Sequence, residues 1–270
     1  MTDSNDTPLL GKVAVVTGAS RGIGRDLTLR LAELGCDLVV AARTVAPRDD
    51  LPGSISQTAD AVRALGRRCL PVATDMTVDG DIARLASSAF EEYGGVDILV
   101  NNAAGLDERM YENFWDMTPE SWRYQVDLNL TSVWLAIKAF APRMREQGGG
   151  LIVNMTSALA GAPRNPNLPG HGSTGAAYTT TKVAVSRLTE DLSKELAPYG
   201  ISIVALHPGW VRTDNGDRLA PVGGFDMAMA AADSTVPMAV LEHLAVTGAS
   251  DESGTVVFAP AFAKERGLVP

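Results

Sequence analysis

The 270-residue sequence predicts an α/β fold, a doubly wound parallel sheet of about seven strands flanked by helices on both faces. Two observations predict it. Short apolar runs alternate with amphipathic segments of helical period from one end of the chain to the other. The runs are apolar at successive positions, as strands must be when helices cover both faces of their sheet.

The expected strands are 13–16, 38–41, 70–73, 98–100, 151–153, 201–206 and 256–258, and the expected helices cover 22–34, 54–65, 78–93, 118–147, 174–197 and 234–246. Strand–helix repetition of this kind gives right-handed βαβ units. Three stretches break the rhythm: a charged connection at 43–53, a Gly/Pro-dense segment at 158–177, and the segment 214–232 with its Ala/Met run. All three leave the carboxyl ends of strands, where loops of an open parallel sheet surround a ligand crevice. The segments 158–177 and 214–232 are therefore the candidate substrate loops.

The composition is that of an ordinary globular chain, with 46% hydrophobic and 20% charged residues. A formal net charge of −9 disfavours nucleic acid as a partner. No apolar run is long enough to span a bilayer, so no membrane partner is expected. Residues 1–10 are expected to be a disordered tail, with no signal or transit character, and 11–270 a single dinucleotide-binding domain. A cytoplasmic location follows as the default. Cys36 and Cys69 match no metal-ligand spacing and are expected to be reduced core thiols. No metal site is expected.

The first strand runs directly into TGASRGIG at 17–24, which opens a helix. Gly18, Gly22 and Gly24 permit a tight turn and let the backbone approach a ligand that any Cβ would repel. Free N–H groups at a helix N-terminus then meet an anion, typically a pyrophosphate. The strand before the glycines and the helix after them supply the context of a Rossmann-type dinucleotide site. Ser20, Arg21 and Ile23 lie in the same turn and complete its candidate cofactor contacts.

A free ribose 2′-hydroxyl is usually held by an acid at the end of the second strand, whereas a 2′-phosphate needs cations there. The strand ends in Arg43 and Thr44 with no carboxylate, and Arg21 lies in the neighbouring turn. NADP(H) is therefore expected in preference to NAD(H).

Tyr178 and Lys182 are spaced to fall one turn apart on one helix face. A phenol of pKa about 10 needs roughly 4 kcal/mol of preferential phenolate stabilisation to titrate near neutrality, and a neighbouring ammonium can contribute it.

TGxxxGxG at the start of a chain this size resembles the short-chain dehydrogenase/reductase family, and four further motifs follow in the family's order. The resemblance covers residue 12 to about residue 258. By it, Asp75 and the adjoining Met76 would contact the adenine. Asn102 and Ala103, in an NNAA segment that departs from the family's NNAG, would lie along the adenosine. Asn129 would hold a relay water for Lys182, and Ser157, with Thr156 as the adjacent alternative, would stabilise charge on the substrate oxygen. Pro208, Gly209, Val211 and Thr213 resemble the family's PGxVxT, which grips the nicotinamide carboxamide.

The resemblance implies interconversion of a ketone or aldehyde with an alcohol, with hydride carried by the cofactor and the proton by Tyr178. Asn129, Ser157, Tyr178 and Lys182 would be the catalytic set, and Tyr178 and Lys182 would also touch the cofactor. An NAD(H)-using alcohol dehydrogenase or a 3-ketoacyl thioester reductase of the same family is the alternative. A non-catalytic NADPH-binding regulator would not need all four residues. A Tyr–Lys spacing other than four would have pointed to C=C chemistry. Residues 43–55 resemble the corresponding loop of hydroxysteroid dehydrogenase-like members. His207 is expected to be positional, and His171 is a further candidate for facing the substrate. Phe225, Met227 and Met229 suggest an apolar substrate. A homotetramer or dimer is implied by the resemblance alone.

Overall fold

The computed structural model describes residues 7–49, 52–157, 175–223 and 234–269. Seven strands form one parallel sheet: β1 (Val13–Thr17), β2 (Asp37–Ala42), β3 (Cys69–Ala73), β4 (Ile98–Asn101), β5 (Gly150–Met155), β6 (Ile201–His207) and β7 (Val256–Phe258). Their order is β3-β2-β1-β4-β5-β6-β7. The winding reverses between β1 and β4, whose registers match Ala14 with Ile98 and Val16 with Val100. A ligand crevice opens outside the strand ends at such a reversal.

The helices are α1 (Gly22–Glu33), α2 (Ile55–Ala64), α3 (Asp79–Tyr93), α4 (Pro119–Val126), α5 (Ser132–Glu146), α6 (Ala176–Leu196), α7 (Asp214–Gly223), α8 (Thr235–Thr247) and α9 (Ala259–Arg266). Alternation along each strand divides the core between two faces. Ala14, Val16, Leu38, Val40, Val153 and Leu206 pack with Leu27 and Leu31 of α1 and Leu241 and Leu244 of α8. Val13, Val15, Val39, Leu99, Ile152 and Ile203 pack with Leu85 of α3, Phe140 and Met144 of α5, and Val185 of α6. Phe90 and Phe140 close that second layer edge-to-face, with ring centroids 5.4 Å apart.

Three boundaries differ from the sequence expectation. The tail expected over 1–10 is ordered from Thr7: Leu9 is buried and its N–H donates to Leu34 O at 2.9 Å. Leu9 is apolar and finds a place on the core beside Gly35, where a Cβ would meet Leu10 N at 2.9 Å. The helical run expected over 118–147 is continuous but loosens into a π turn, Asp127–Thr131, between α4 and α5. The first part of the 214–232 loop is helical as α7, because Thr213 caps it: Gly216 N–H donates to Thr213 Oγ1 at 3.0 Å. The remainder of that loop, with Phe225, Met227 and Met229, and most of 158–177, with His171, lie outside the described residues.

Candidate active site

The glycine turn is built against the loop that follows β4. Gly18 takes φ +69°, and its N–H donates to Ala41 O at 2.8 Å. A Cβ there would meet Asn102 Nδ2 at 2.8 Å, and one on Gly24 would run into both Gly18 O and Asn102 Nδ2. Asn102 fills the space that the missing side chains leave. Its Nδ2 donates to Thr17 O at 2.9 Å, while Asn102 N and Ala103 N donate to Thr17 Oγ1 at 3.0 and 3.1 Å. Asn102 and Ala103 thus bind the switch point together. Gly22, at φ +53°, opens α1, and Arg21 before it supplies no side-chain cap, so the N-terminal amides receive no acceptor from that position. Ser20 is buried in the turn and Ile23 packs towards the core.

At the end of β2 the two expected cations behave differently. Arg21 is engaged: its Nε donates to Pro52 O at 2.6 Å and its Nη2 to Gly53 O at 2.9 Å and Thr44 Oγ1 at 3.1 Å. It ties the glycine turn to the 43–53 loop. Burial pulls its pKa down, and the like charges of Arg43 and Arg48 add to this. Arg43 is exposed, with no hydrogen bond or ion pair among the described residues. Asp75 Oδ1 accepts from Thr77 N and Thr77 Oγ1 at 2.9 and 2.8 Å, and Met76 is buried in the core.

Tyr178 and Lys182 lie in the first turns of α6, 7% and 3% exposed. Tyr178 shares a hydrogen bond with Ser157, which stands just beyond β5. Burial pushes the phenol up to about 12, against the lowering influence of that hydrogen bond. Burial also pushes Lys182 down to about 8. Its Nζ donates to Met155 O at 2.8 Å and stands 5.9 Å from the centre of the Tyr178 ring. Thr156, the alternative to Ser157, is committed elsewhere: its Oγ1 donates to Lys182 O at 3.0 Å, and it lies 3.1 Å from Ser186 Oγ.

Asn129 sits in the π turn, fully buried, with Oδ1 accepting from Gly105 N at 2.8 Å. Its Nδ2 donates to Gln125 Oε1 at 2.6 Å, a partner that no motif singles out. Also unanticipated are Met110, from a 3₁₀ turn at Glu108–Tyr111, and Leu219 of α7. Both pack on Tyr178, with Tyr111 beside them. Asn215 Nδ2 donates to Leu106 O at 2.7 Å and pins α7 across to the loop after β4. One apolar residue from a 3₁₀ turn and one from a short helix give no sign in the sequence that they share a site, so only the fold could bring these together.

After β6, His207 Nδ1 accepts from Gly209 N at 2.8 Å, and its ring meets Phe258 edge-on at 4.7 Å. Gly209 is left-handed at φ +87°, and a Cβ there would approach Pro260 Cγ to 2.9 Å. Val211 is buried, and Thr213 Cγ2 lies 3.4 Å from where a Cβ on Gly22 would stand. The turn carrying Pro208, Gly209, Val211 and Thr213 therefore abuts the glycine turn. Burial lowers the His207 pKa to about 4 from an ordinary 6.5. The unfolded chain binds the extra proton first, so stability falls as pH drops from about 6.5 towards 4. His207→Asn, which keeps an acceptor for Gly209 N–H, is expected to flatten that fall in urea titrations. An unchanged slope would remove His207 from the account.

Among the described residues no helix is long and apolar enough to cross a membrane, and no group of three or more His, Cys, Asp or Glu could hold a metal ion. Comparison with known proteins gives a consistent result. The family model described as short chain dehydrogenase matches residues 12–221. The 2-dehydro-3-deoxy-D-gluconate 5-dehydrogenase of Dickeya dadantii is 35% identical over 218 residues, covering 80% of this chain and 78% of that one. An uncharacterized NAD-dependent oxidoreductase of Mycobacterium tuberculosis is 34% identical over 215 residues, covering 76% and 73%. The crystal structure of a short-chain type dehydrogenase/reductase from Mycobacterium marinum superposes with a TM-score of 0.80 at 29% identity, covering 94% and 96%. The chain belongs to the short-chain dehydrogenase/reductase family of oxidoreductases.

Proposed function

We propose that the protein is an NADP(H)-dependent oxidoreductase that interconverts an apolar ketone or aldehyde with the corresponding alcohol. The observation that carries this reading is the meeting of Tyr178, Ser157 and Lys182 at the carboxyl end of β5, in the same sheet whose β1 runs into the glycine turn. The chain's residues fit a nicotinamide dinucleotide: the uncapped start of α1 suits a pyrophosphate, and Lys182 is a buried cation whose Nζ donates to the Met155 carbonyl. Gly18, Ser20, Arg21, Gly22, Ile23 and Gly24 would hold the pyrophosphate side, and Asp75, Met76, Asn102 and Ala103 the adenosine. Pro208, Gly209, Val211 and Thr213 would face the carboxamide. When bound, the nicotinamide ring supplies or accepts the hydride.

The protein's own part is proton and charge control. Tyr178 donates the proton to the carbonyl oxygen in reduction and takes it back in oxidation. Ser157 hydrogen-bonds the same oxygen and stabilises the charge that grows there. Lys182 holds the ribose and favours the phenolate, and Asn129 supports proton relay to Lys182. Met110, Tyr111 and Leu219 around Tyr178 support an apolar substrate. The Dickeya relative's name points to a polar sugar acid, so substrate assay is the deciding experiment. Turnover of apolar ketones with NADPH is expected. Activity confined to hydroxylated acids would overturn the substrate class.

Arg43 carries the cofactor preference, since β2 ends without a carboxylate and Arg21 is already bonded to the 43–53 loop. The NAD-dependent Mycobacterium relative makes this a preference to be measured. Arg43→Leu is expected to raise the KM for NADPH about tenfold or more while leaving that for NADH nearly unchanged. Equal effects on both cofactors would remove Arg43 from 2′-phosphate recognition. We further propose one dinucleotide-binding domain, a cytoplasmic location consistent with two buried free thiols, and a homo-oligomer built on α5 and α6. Those helices expose Trp134 and Val183, at 46% and 47%.

A further inference from the structure

The helical run through α4 and α5 changes its winding for one turn, Asp127–Thr131, and Asn129 lies in that turn with none of its surface exposed. A π turn is a local departure from the favoured helix and persists where other contacts hold it. Gln125, four residues earlier and equally buried, supplies them. Its Oε1 accepts from Asn129 Nδ2 at 2.6 Å, and its Nε2 donates to Gly105 O at 3.2 Å. Gly105 N–H donates to Asn129 Oδ1 at 2.8 Å, closing a three-membered ring of hydrogen bonds. The ring has one sense. Turning the Asn129 amide would set its NH₂ against the Gly105 N–H, and turning Gln125 would oppose two NH₂ groups.

We propose that Gln125 is a positioning residue for the reaction. It locks the Asn129 amide in one orientation and, through Gly105, fixes the loop that runs on to Met110 and Tyr111 beside Tyr178. The π turn packs directly against α6, the helix that carries Tyr178 and Lys182. Gln125 thus sets both the relay side and the cleft-wall side of the site without touching a reacting atom. This inference rests on the proposed roles of Tyr178, Lys182 and Asn129.

Gln125→Glu and Gln125→Met test it. A carboxylate still accepts from Asn129 but opposes Gly105 O, whereas a protonated carboxyl can donate to it. At about pH 8, Gln125→Glu is expected to lower kcat about tenfold, with NADPH Kd and carbonyl KM within about twofold of wild type. As pH falls towards about 5, burial favours the neutral carboxyl, and kcat relative to wild type is expected to recover. Gln125→Met lacks both polar atoms and is expected to stay low at every pH. Should the glutamate variant not fold, Gly105→Ala applies the same stress. Its methyl would stand 3.1 Å from Gln125 Oε1, and the same kcat loss with intact NADPH binding is expected. Wild-type kcat in Gln125→Met or Gly105→Ala, or a pH-independent ratio in Gln125→Glu, overturns the proposal. Tyr178→Phe run in parallel separates the two readings. If it is active, the proposed chemistry fails. If it is dead while the Gln125 variants match wild type, only the positioning role falls.

Discussion

Tyr178→Phe is expected to lower turnover by about 10³-fold or more, while NADPH Kd stays within about twofold of wild type. The substitution removes one oxygen from a side chain that is 7% exposed and packed with Met110 and Leu219. The apolar body of the ring remains, so the fold has little reason to change. What disappears is the hydrogen bond to Ser157 and the phenol that makes it. Turnover within about tenfold of wild type would sink the acid–base role of Tyr178.

The electrostatics sharpen the prediction. Burial holds the free phenol up at about 12 and Lys182 down at about 8. A phenolate at pH 7 therefore lies on the order of 7 kcal/mol uphill in the cofactor-free protein. Reduction needs a neutral phenol as proton donor, and the free site already provides one. Oxidation needs the phenolate, so it depends on positive charge brought close to the ring. Lys182 now spends its ammonium on Met155 O and would have to share it with the phenol. Ultraviolet titration of wild type against Tyr178→Phe is expected to show no Tyr178 phenolate below about pH 11 without cofactor. Binding of the oxidised, positively charged cofactor is expected to move the phenolate signal downwards. A Tyr178 signal already near neutral pH in the free protein would mean that burial does not govern this group.

These electrostatic details lay beyond the sequence, although the residues did not. The strands were legible because burial on both faces leaves unbroken apolar runs, and the glycine turn because Gly18, Gly22 and Gly24 answer to local backbone demands. Tyr178 and Lys182 could be paired from helical spacing alone. Gln125 could not, since a glutamine inside an amphipathic helix looks like surface until Gly105 and Asn129 are folded against it. Leu219 and Met110 were hidden for the opposite reason: an apolar residue in the short helix α7 or in a 3₁₀ turn looks like ordinary packing, and only the tertiary fold brings both onto Tyr178. Thr213 shows a third limit. A motif suggested a ligand contact, yet its hydroxyl also accepts from Gly216 N and starts α7. The first turn of the expected substrate loop was therefore set by a cap that the motif concealed.

Gly24→Ala tests the other half of the site, where space rather than charge decides. Gly24 has no left-handed backbone and lies inside α1, so helix propensity by itself would favour alanine by about 1 kcal/mol. Packing opposes it. The new methyl would run into Gly18 O and Asn102 Nδ2, and neither can move freely. Gly18 is held through its N–H on Ala41 O at 2.8 Å, and Asn102 through Nδ2 on Thr17 O at 2.9 Å. Overpacking a site this rigid costs about 2–3 kcal/mol, which outweighs the propensity gain and corresponds to several degrees in Tm. Gly80→Ala is the matched control. That glycine is also helical, in α3, but a Cβ there meets nothing within 4 Å, so a gain of about 0.5–1 kcal/mol is expected. Thermal melts of the two variants should therefore move in opposite directions, and NADPH binding should weaken only in Gly24→Ala. The turn must shift to admit the methyl, and its amides then no longer converge on one anion. If Gly24→Ala melted with wild type and bound NADPH as tightly, the close packing of α1 on the post-β4 loop would not be what shapes the cofactor cradle.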